Sequence, residues 1–417
     1  MLDGYRAAAL AWAACTCLLP ACGQTEGTSN DAGDASVHDD INATDVQPPG
    51  PSQKNASMFA PGSIVDYHVT TDQTDWDHMI QSAYKGEEVY IPCRFEFDGE
   101  AFEHAAMRLK GNTTDWLPEN KLQFVVRFNW YDKKGRFRGL RRVFLEANPN
   151  DPSTCRNNLS LHVMREAGAV TPRSNHARLY VNGAFYGLYE NIEYVDREFL
   201  EDRFAFPDGN LYKNGEFLKT NEKQDDTSDL DAFNDLVWGE PLQGDHSDFY
   251  EKIPKLVDMD ALLLHVAVEA ILPAGDSFWS GGWNYYWYHD PTRGFVILPW
   301  DLDDVMSAEL APADADPLTW TSVAAGDLEP HPLWALAREN PVWRAQFKDN
   351  LGRIEKDIYR DLGGVAKECC ARVWPDLAKG PHYAFDKEEF DKDCQYLQDH
   401  VTQRSKFIRD WLDADGK

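Results

Sequence analysis

The apolar positions of this chain change their spacing near its middle. From about Met58 to Phe128 they alternate with polar ones, the period of a half-buried strand. Val89-Tyr-Ile-Pro92, Cys93-Arg-Phe-Glu-Phe97 and Ala106-Met-Arg-Leu-Lys110 each send residues inward and outward in turn, and Asp98-Gly99 has the chemistry of a tight turn. Lys121 to Phe128 predicts a further strand, with Phe124, Val126 and Phe128 on one face. Asn158 to Ala167 predicts a helix, Arg178-Leu-Tyr-Val181 a strand entering the Asn182-Gly183 turn of a hairpin, and Asp196 to Phe204 a second helix. From Pro332 to Trp411 the spacing is helical, with Trp343, Phe347, Leu351 and Ile354 on one face. A strand-rich first half followed by a helix-rich second half predicts an α+β fold with two lobes. No internal repeat is visible.

The first residues follow neither pattern. Arg6 precedes the apolar run Ala7 to Leu19, which is too short to span a membrane and ends in Leu19-Pro20-Ala21-Cys22. That ending resembles a bacterial lipobox, which implies a signal peptide over 1–22 cleaved before Cys22, and lipidation of Cys22. Gly23 after the cysteine implies sorting to the outer membrane or cell surface. An ordinary cleaved signal, in which Cys22 is incidental, is the plainer alternative, and Asp3 weakens the positive start. Gly23 to Gln53 holds no Lys or Arg and is rich in Gly, Ser, Thr, Asp and Pro. Such a segment buries too little apolar surface to offset chain entropy, so 23–57 is expected to be a disordered tether and 58–417 the folded domain.

Composition changes the picture in two ways. The 70 Asp and Glu against 41 Lys and Arg give a formal net charge of −29, which disfavours nucleic acid as a partner. After removal of the signal, Cys93, Cys155, Cys369, Cys370 and Cys394 remain besides Cys22. Five is odd, so one thiol stays free or pairs between chains if disulfides form; Cys369 and Cys370 offer a partner for Cys394, with the connectivity open. No Cys/His spacing reads as a zinc site.

Candidate chemistry concentrates in Asn284-Tyr-Tyr-Trp-Tyr-His289, Asp290-Pro-Thr-Arg-Gly294 and Phe295-Val-Ile-Leu-Pro-Trp-Asp-Leu-Asp303. Folded as a hairpin about Thr292, these runs bring Asn284 beside Trp300 and Asp301, so one amide oxygen and two carboxylates, Asp301 and Asp303, meet at its open end. Hard oxygen ligands suit Mg²⁺ or Mn²⁺, although an acidic pair at a strand end is more often a solvated turn. Other segments read as ordinary loops or surface residues alone. Gly111, Asn112 and Thr113 end a strand and present backbone N–H groups suited to phosphate. Lys121 opens the next strand within reach of the same phosphates. Asp276 follows a helix through Pro273-Ala274-Gly275.

Taken together, Met107-Arg-Leu-Lys-Gly-Asn-Thr-Thr114, Asn150-Asp-Pro-Ser153, Leu179-Tyr-Val-Asn-Gly-Ala-Phe-Tyr-Gly-Leu-Tyr189, Glu193-Tyr-Val-Asp196, Gly209-Asn-Leu-Tyr-Lys213, Asn284-Tyr-Tyr-Trp-Tyr288 and Pro299-Trp-Asp-Leu-Asp303 resemble the CotH kinase family, in the family's order, from about residue 65 to 355. The resemblance implies a protein-kinase-like fold and ATP-dependent phosphoryl transfer to Ser or Thr of a surface or secreted protein. It implies Gly111, Asn112, Thr113 and Lys121 on phosphate, Glu193 orienting Lys121, Asp276 as catalytic base, and Asp301 with Asn284 as metal ligands, Asp303 standing by. That order of roles is the order of a kinase. Glu190 competes with Glu193 for the lysine, and Arg108 and Lys213 either touch nucleotide or brace the cleft. Trp283, Trp287 and Trp300 read as core before they read as adenine platforms. Ser277-Phe-Trp-Ser-Gly-Gly-Trp283 departs from the family beside Asp276, and Leu122 stands where the family often has a second basic residue. Two other classes compete with the enzyme: a non-catalytic adhesin or coat-organising protein on the same fold, and a carbohydrate-directed surface protein, for which 14 Trp give a compositional hint.

Overall fold

The computed structural model describes residue 50 and residues 52–110, 121–239, 244–307, 311–321 and 330–415. Cys22, the signal, most of the expected tether and the phosphate-loop candidates Gly111, Asn112 and Thr113 lie outside the described residues. The last residues of the expected tether are structured: a 3-10 helix spans Gln53–Phe59 and buries Asn55, Met58 and Phe59.

Alternation builds a closed barrel. Its strands are β1 Ile64–Thr70, β2 Ile91–Phe97, β3 Glu100–Lys110, β4 Gln123–Arg127, β5 Arg142–Glu146, β6 Ser174–Val181 and β7 Ala184–Ile192, in the order β1-β2-β3-β4-β5-β7-β6. The ring closes where β1 runs parallel to β6, with Ile64 opposite His176 and Val69 opposite Val181. Two helices interrupt the strands, α1 Gln73–Ala83 and α2 Arg156–Ala167. The expected face of β4 is the inner one: Phe124, Val126 and Phe128 join Phe95, Leu145 and Tyr189 in the barrel core. Asp98-Gly99 and Asn182-Gly183 turn the chain with positive φ at all four residues, the conformation Asn, Asp and Gly tolerate best.

The second half packs α3 Arg197–Arg203, α4 Ser228–Gly239, α5 Ser247–Lys252, α6 Met259–Ile271, α7 Phe278–Gly281, α8 Pro332–Ala337, α9 Pro341–Asp357, α10 Leu362–Leu377 and α11 Lys387–Asp415 around a small sheet. That sheet has the order β11-β10-β8-β9, from β8 Leu211–Lys213, β9 Phe217–Leu218, β10 Tyr285–Asp290 and β11 Gly294–Pro299. A second core forms here, and Phe347, Leu351 and Ile354 of α9 lie fully within it. The architecture is α+β, a barrel first and helices after. Disulfides join Cys155 to Cys369 and Cys370 to Cys394, which leaves Cys93 as the buried free thiol among the described residues, its pKa pushed up to about 12 by burial.

Candidate active site

The β10–β11 hairpin sets the geometry. Tyr285 pairs with Pro299 and Asp290 with Gly294, so the loop is Pro291-Thr292-Arg293, and the Asp290 carboxylate accepts from the Thr292 N–H at 2.8 Å and the Arg293 N–H at 3.1 Å. At the open end the Trp300 N–H donates to the Asn284 carbonyl at 3.2 Å. Asn284 and Asp301 both take positive φ, 56° and 55°, which turns the chain out of the strands just where their side chains are needed. Residues 301–306 are then clamped from two sides. From α2, the Asn157 side-chain oxygen accepts the Leu302 N–H at 2.8 Å and Arg156 Nε donates to the Val305 carbonyl at 3.1 Å. From the other side, the Gly275 N–H donates to the Asp304 carbonyl at 3.0 Å and the Met306 N–H to that of Pro273 at 3.0 Å. This second clamp brings Asp276 beside the acidic loop, and Asn284 Nδ2 donates to both the Asp276 carboxylate and its backbone carbonyl at 2.9 Å.

Arg156 is itself locked. It pairs with Asp151 and reaches Asp393 at 2.6 Å, while the Asp151 carboxylate accepts from the backbone N–H groups of Ser153, Cys155 and Arg156 at 2.9–3.0 Å. The Asn150-Asp-Pro-Ser153 segment, through the one carboxylate of Asp151, therefore ties down the start of α2 and holds it against the site.

The electrostatics are those of a crowded anionic cluster. Burial pushes the Asp276 carboxyl up to about 7, with Asp304 and Asp301 adding to it. Asp303 is raised well above the carboxylate range by burial and then by Asp301, Asp304 and Glu146. Asp304 is raised by burial and Asp301, and Glu146 by burial against the pull of Lys110. Three lysines face this cluster. Lys110 Nζ lies 3.3 Å from Glu146 and over the Phe144 ring at 4.0 Å, and Glu146 and Asp301 outweigh burial in holding its pKa above the ordinary value. Lys213 sits over the Trp300 ring at 5.7 Å, its pKa lowered by burial although Asp301 attracts the charge. Lys121 donates to the Leu188 carbonyl at 2.9 Å, and burial brings its pKa down to about 8.

Two expectations need correction. Glu193 does not orient Lys121: it is buried between Arg173, which it meets at 2.5 Å, and Arg203, at 2.7 Å. The carboxylate that acts most strongly on Lys121 is Glu190, ahead of Glu146 and Asp151; it accepts from the Asn158 N–H at 2.8 Å, and burial lifts its pKa to about 8. Of the two roles left open for Arg108, bracing is the one its contacts favour: it is occupied with Tyr90 at 2.9 Å and Glu88 at 3.0 Å. Trp287 is core as expected and Trp300 is buried with its ring stacked on Phe144, but Trp283, expected in the core, is exposed instead. A cavity of about 170 Å³ lined by Arg142, Glu193, Asp196 and Glu198 lies apart from this cluster, since none of Asp276, Asn284 and Asp301 lines it.

Lys110, Glu146 and Asp304 escaped sequence reasoning. A signal existed for the first: Arg108 and Lys110 alternate with buried Met107 and Leu109, so both were due to leave the barrel interior, and Lys110 closes its strand. Glu146 carried no local sign beyond ending a strand.

The family model described as CotH kinase protein matches residues 107–408. Among curated proteins, the inner spore coat protein H of Bacillus subtilis (strain 168) is 25% identical over 299 residues, covering 66% of this chain and 80% of that protein. The matched range contains every residue of the cluster.

Proposed function

The chain belongs to the CotH kinase protein family, and on that premise we propose that it transfers the γ-phosphoryl group of ATP to Ser or Thr hydroxyls of another protein, with Mg²⁺ or Mn²⁺. The observation that carries this reading is the convergence of Asn284, Asp276, Asp301, Asp303 and Asp304 at one hairpin mouth, opposite Lys110 and Lys213. Burial, and then their neighbours' charge, raises the Asp276, Asp303 and Asp304 carboxyls, a field that a divalent cation would relieve, and all the donors are hard oxygens. Asn284 spends its N–H on Asp276, so its side-chain oxygen remains the atom for a metal. Asp301, Asn284 and Asp303 are the residues that would hold the ion, which when bound neutralises charge on the phosphates.

The chain's own residues do the rest. Lys110, Lys121 and Lys213 bind phosphate oxygens, and Lys110 is kept charged and aimed by Glu146. Asp276 takes the proton of the acceptor hydroxyl on its carboxylate, which Asn284 Nδ2 orients. The protein is exported and tethered through Cys22, a reading supported by Leu19-Pro20-Ala21-Cys22 and by the coat location in the relative's name. The same name favours a second reading, a coat-organising protein without catalysis.

The test is phosphate transfer from γ-labelled ATP to surface proteins or to the chain itself. Asp276→Asn is expected to lower the rate by about 10²–10⁴-fold while nucleotide binding persists. Transfer by Asp276→Asn at the wild-type rate would sink the assignment of the base.

A further inference from the structure

Behind the acidic loop, three buried side chains from separate parts of the chain meet. Cys155 precedes α2, Cys369 lies in α10 and His176 lies in β6; a ring nitrogen of His176 and the two sulfurs fall within 4.8 Å of one another. All three are buried, His176 completely so. In the oxidised chain the sulfurs share a disulfide across 214 residues of sequence.

The imidazole is the telling member. Its Nε2 lies 2.7 Å from the Thr154 carbonyl, an acceptor only, so Nε2 carries the proton and Nδ1 the lone pair. Nδ1 is buried and meets no hydrogen-bond donor among the described residues. A bare buried acceptor is costly to keep, and a disulfide has no proton to offer it. An imidazole that donates one N–H to a carbonyl and presents the other nitrogen without a partner is arranged as histidine ligands of metals are.

We propose that the Cys155–Cys369 disulfide masks a zinc site, and that reduction exposes it as Cys155 Sγ, Cys369 Sγ and His176 Nδ1, with the fourth tetrahedral position left to water. The electrons come from a dithiol. Its two thiols become a disulfide as the Cys155–Cys369 bond breaks, and two electrons and two protons pass to the protein sulfurs. Zinc then displaces the two thiol protons, so a dication meets two thiolates and a neutral imidazole with no net charge left in the interior. Soft thiolates select zinc over Mg²⁺, which keeps this site chemically distinct from the oxygen cluster at Asp301. Either link ties the start of α2 to α10, and α2 carries Asn157 and Arg156, which clamp the acidic loop.

Reduction also opens Cys370–Cys394, so the experiment uses the full chain with Cys370→Ser and Cys394→Ser. After dithiol treatment this protein is expected to take up one zinc, with two sulfurs and one imidazole in its X-ray absorption shell, and the oxidised form none at that shell. His176→Gln in the same background is expected to weaken zinc by more than about tenfold, since even outer partners of a metal cost that much. Should the double variant not fold, the reduced wild-type chain decides by the same absorption: an imidazole in the shell supports the site. A sulfur-only shell, zinc uptake unchanged by His176→Gln, or no zinc on the reduced folded chain would overturn it.

Discussion

Lys110→Met tests how the cluster is balanced. In the native chain Lys110 stands 3.3 Å from Glu146, whose side chain is 3% exposed. Removing one partner of a buried pair costs about 3–5 kcal/mol, chiefly through the charge left behind. Glu146 has an escape, because it can take up a proton. Starting from its ordinary pKa of 4.5, that escape costs about 1.4 kcal/mol for each pH unit above this value. The ceiling is therefore about 3.4 kcal/mol at pH 7 and under about 1 kcal/mol at pH 5. The sign is fixed: a carboxyl whose folded pKa is raised stabilises the fold at low pH and loses that contribution as pH rises. Denaturant unfolding of wild type and Lys110→Met at the two pH values measures the difference. Adding Glu146→Gln to Lys110→Met should restore most of the loss at pH 7. A cost that is the same at pH 5 and pH 7, or that Glu146→Gln leaves untouched, refutes the pairing as the source.

Three further outcomes are expected. Lys121→Met should keep or raise stability, because burial has brought the lysine down to about 8 and holding it protonated at pH 7 costs up to about 3.4 kcal/mol, yet it should weaken ATP in calorimetry. His400, pushed down to about 4 by burial, stays neutral in the fold while the unfolded chain protonates below about 6.5. Stability is thus lost as pH falls, and wild type should lose about 2 kcal/mol more than His400→Gln between pH 7 and pH 5 in unfolding curves. Gly294 has φ +76°, and a Cβ there would collide with the Leu256 carbonyl that accepts from Phe295 N–H at 2.7 Å. Gly294→Ala should cost more than about 2 kcal/mol and weaken metal binding at the far end of the hairpin.

Local pattern carried much of the fold. The 284–303 hairpin needed only two aromatic or β-branched runs and a Pro/Gly turn, and its register could be read to the residue. The inward face of β4 followed from period two alone. What alternation cannot give is which distant strands meet, so the parallel closure of β1 on β6 was illegible, as were the disulfide partners, which depend on where α10 docks. The Glu190 and Glu193 choice failed for a physical reason. Three residues apart on extended chain, they point to opposite sides, and only the sheet shows which side holds Lys121 and which holds Arg173 and Arg203. The Lys110–Glu146 pair joins strands that are not neighbours, since β4 lies between β3 and β5. No sequence spacing announces such a contact.

Whether the acidic loop holds a divalent cation for nucleotide is read from the melting temperature of the chain with ATP, in Mg²⁺ and in EDTA. Ligand at about 100 times its Kd stabilises a fold by about 2.7 kcal/mol, well within detection. A shift is expected with ATP and Mg²⁺ together, none with ATP in EDTA, retention of the shift in Asp276→Asn and its loss in Asp301→Asn, a substitution that keeps the positive φ of 55° accessible. An equal shift in EDTA, or a full shift in Asp301→Asn, would contradict a cation held there.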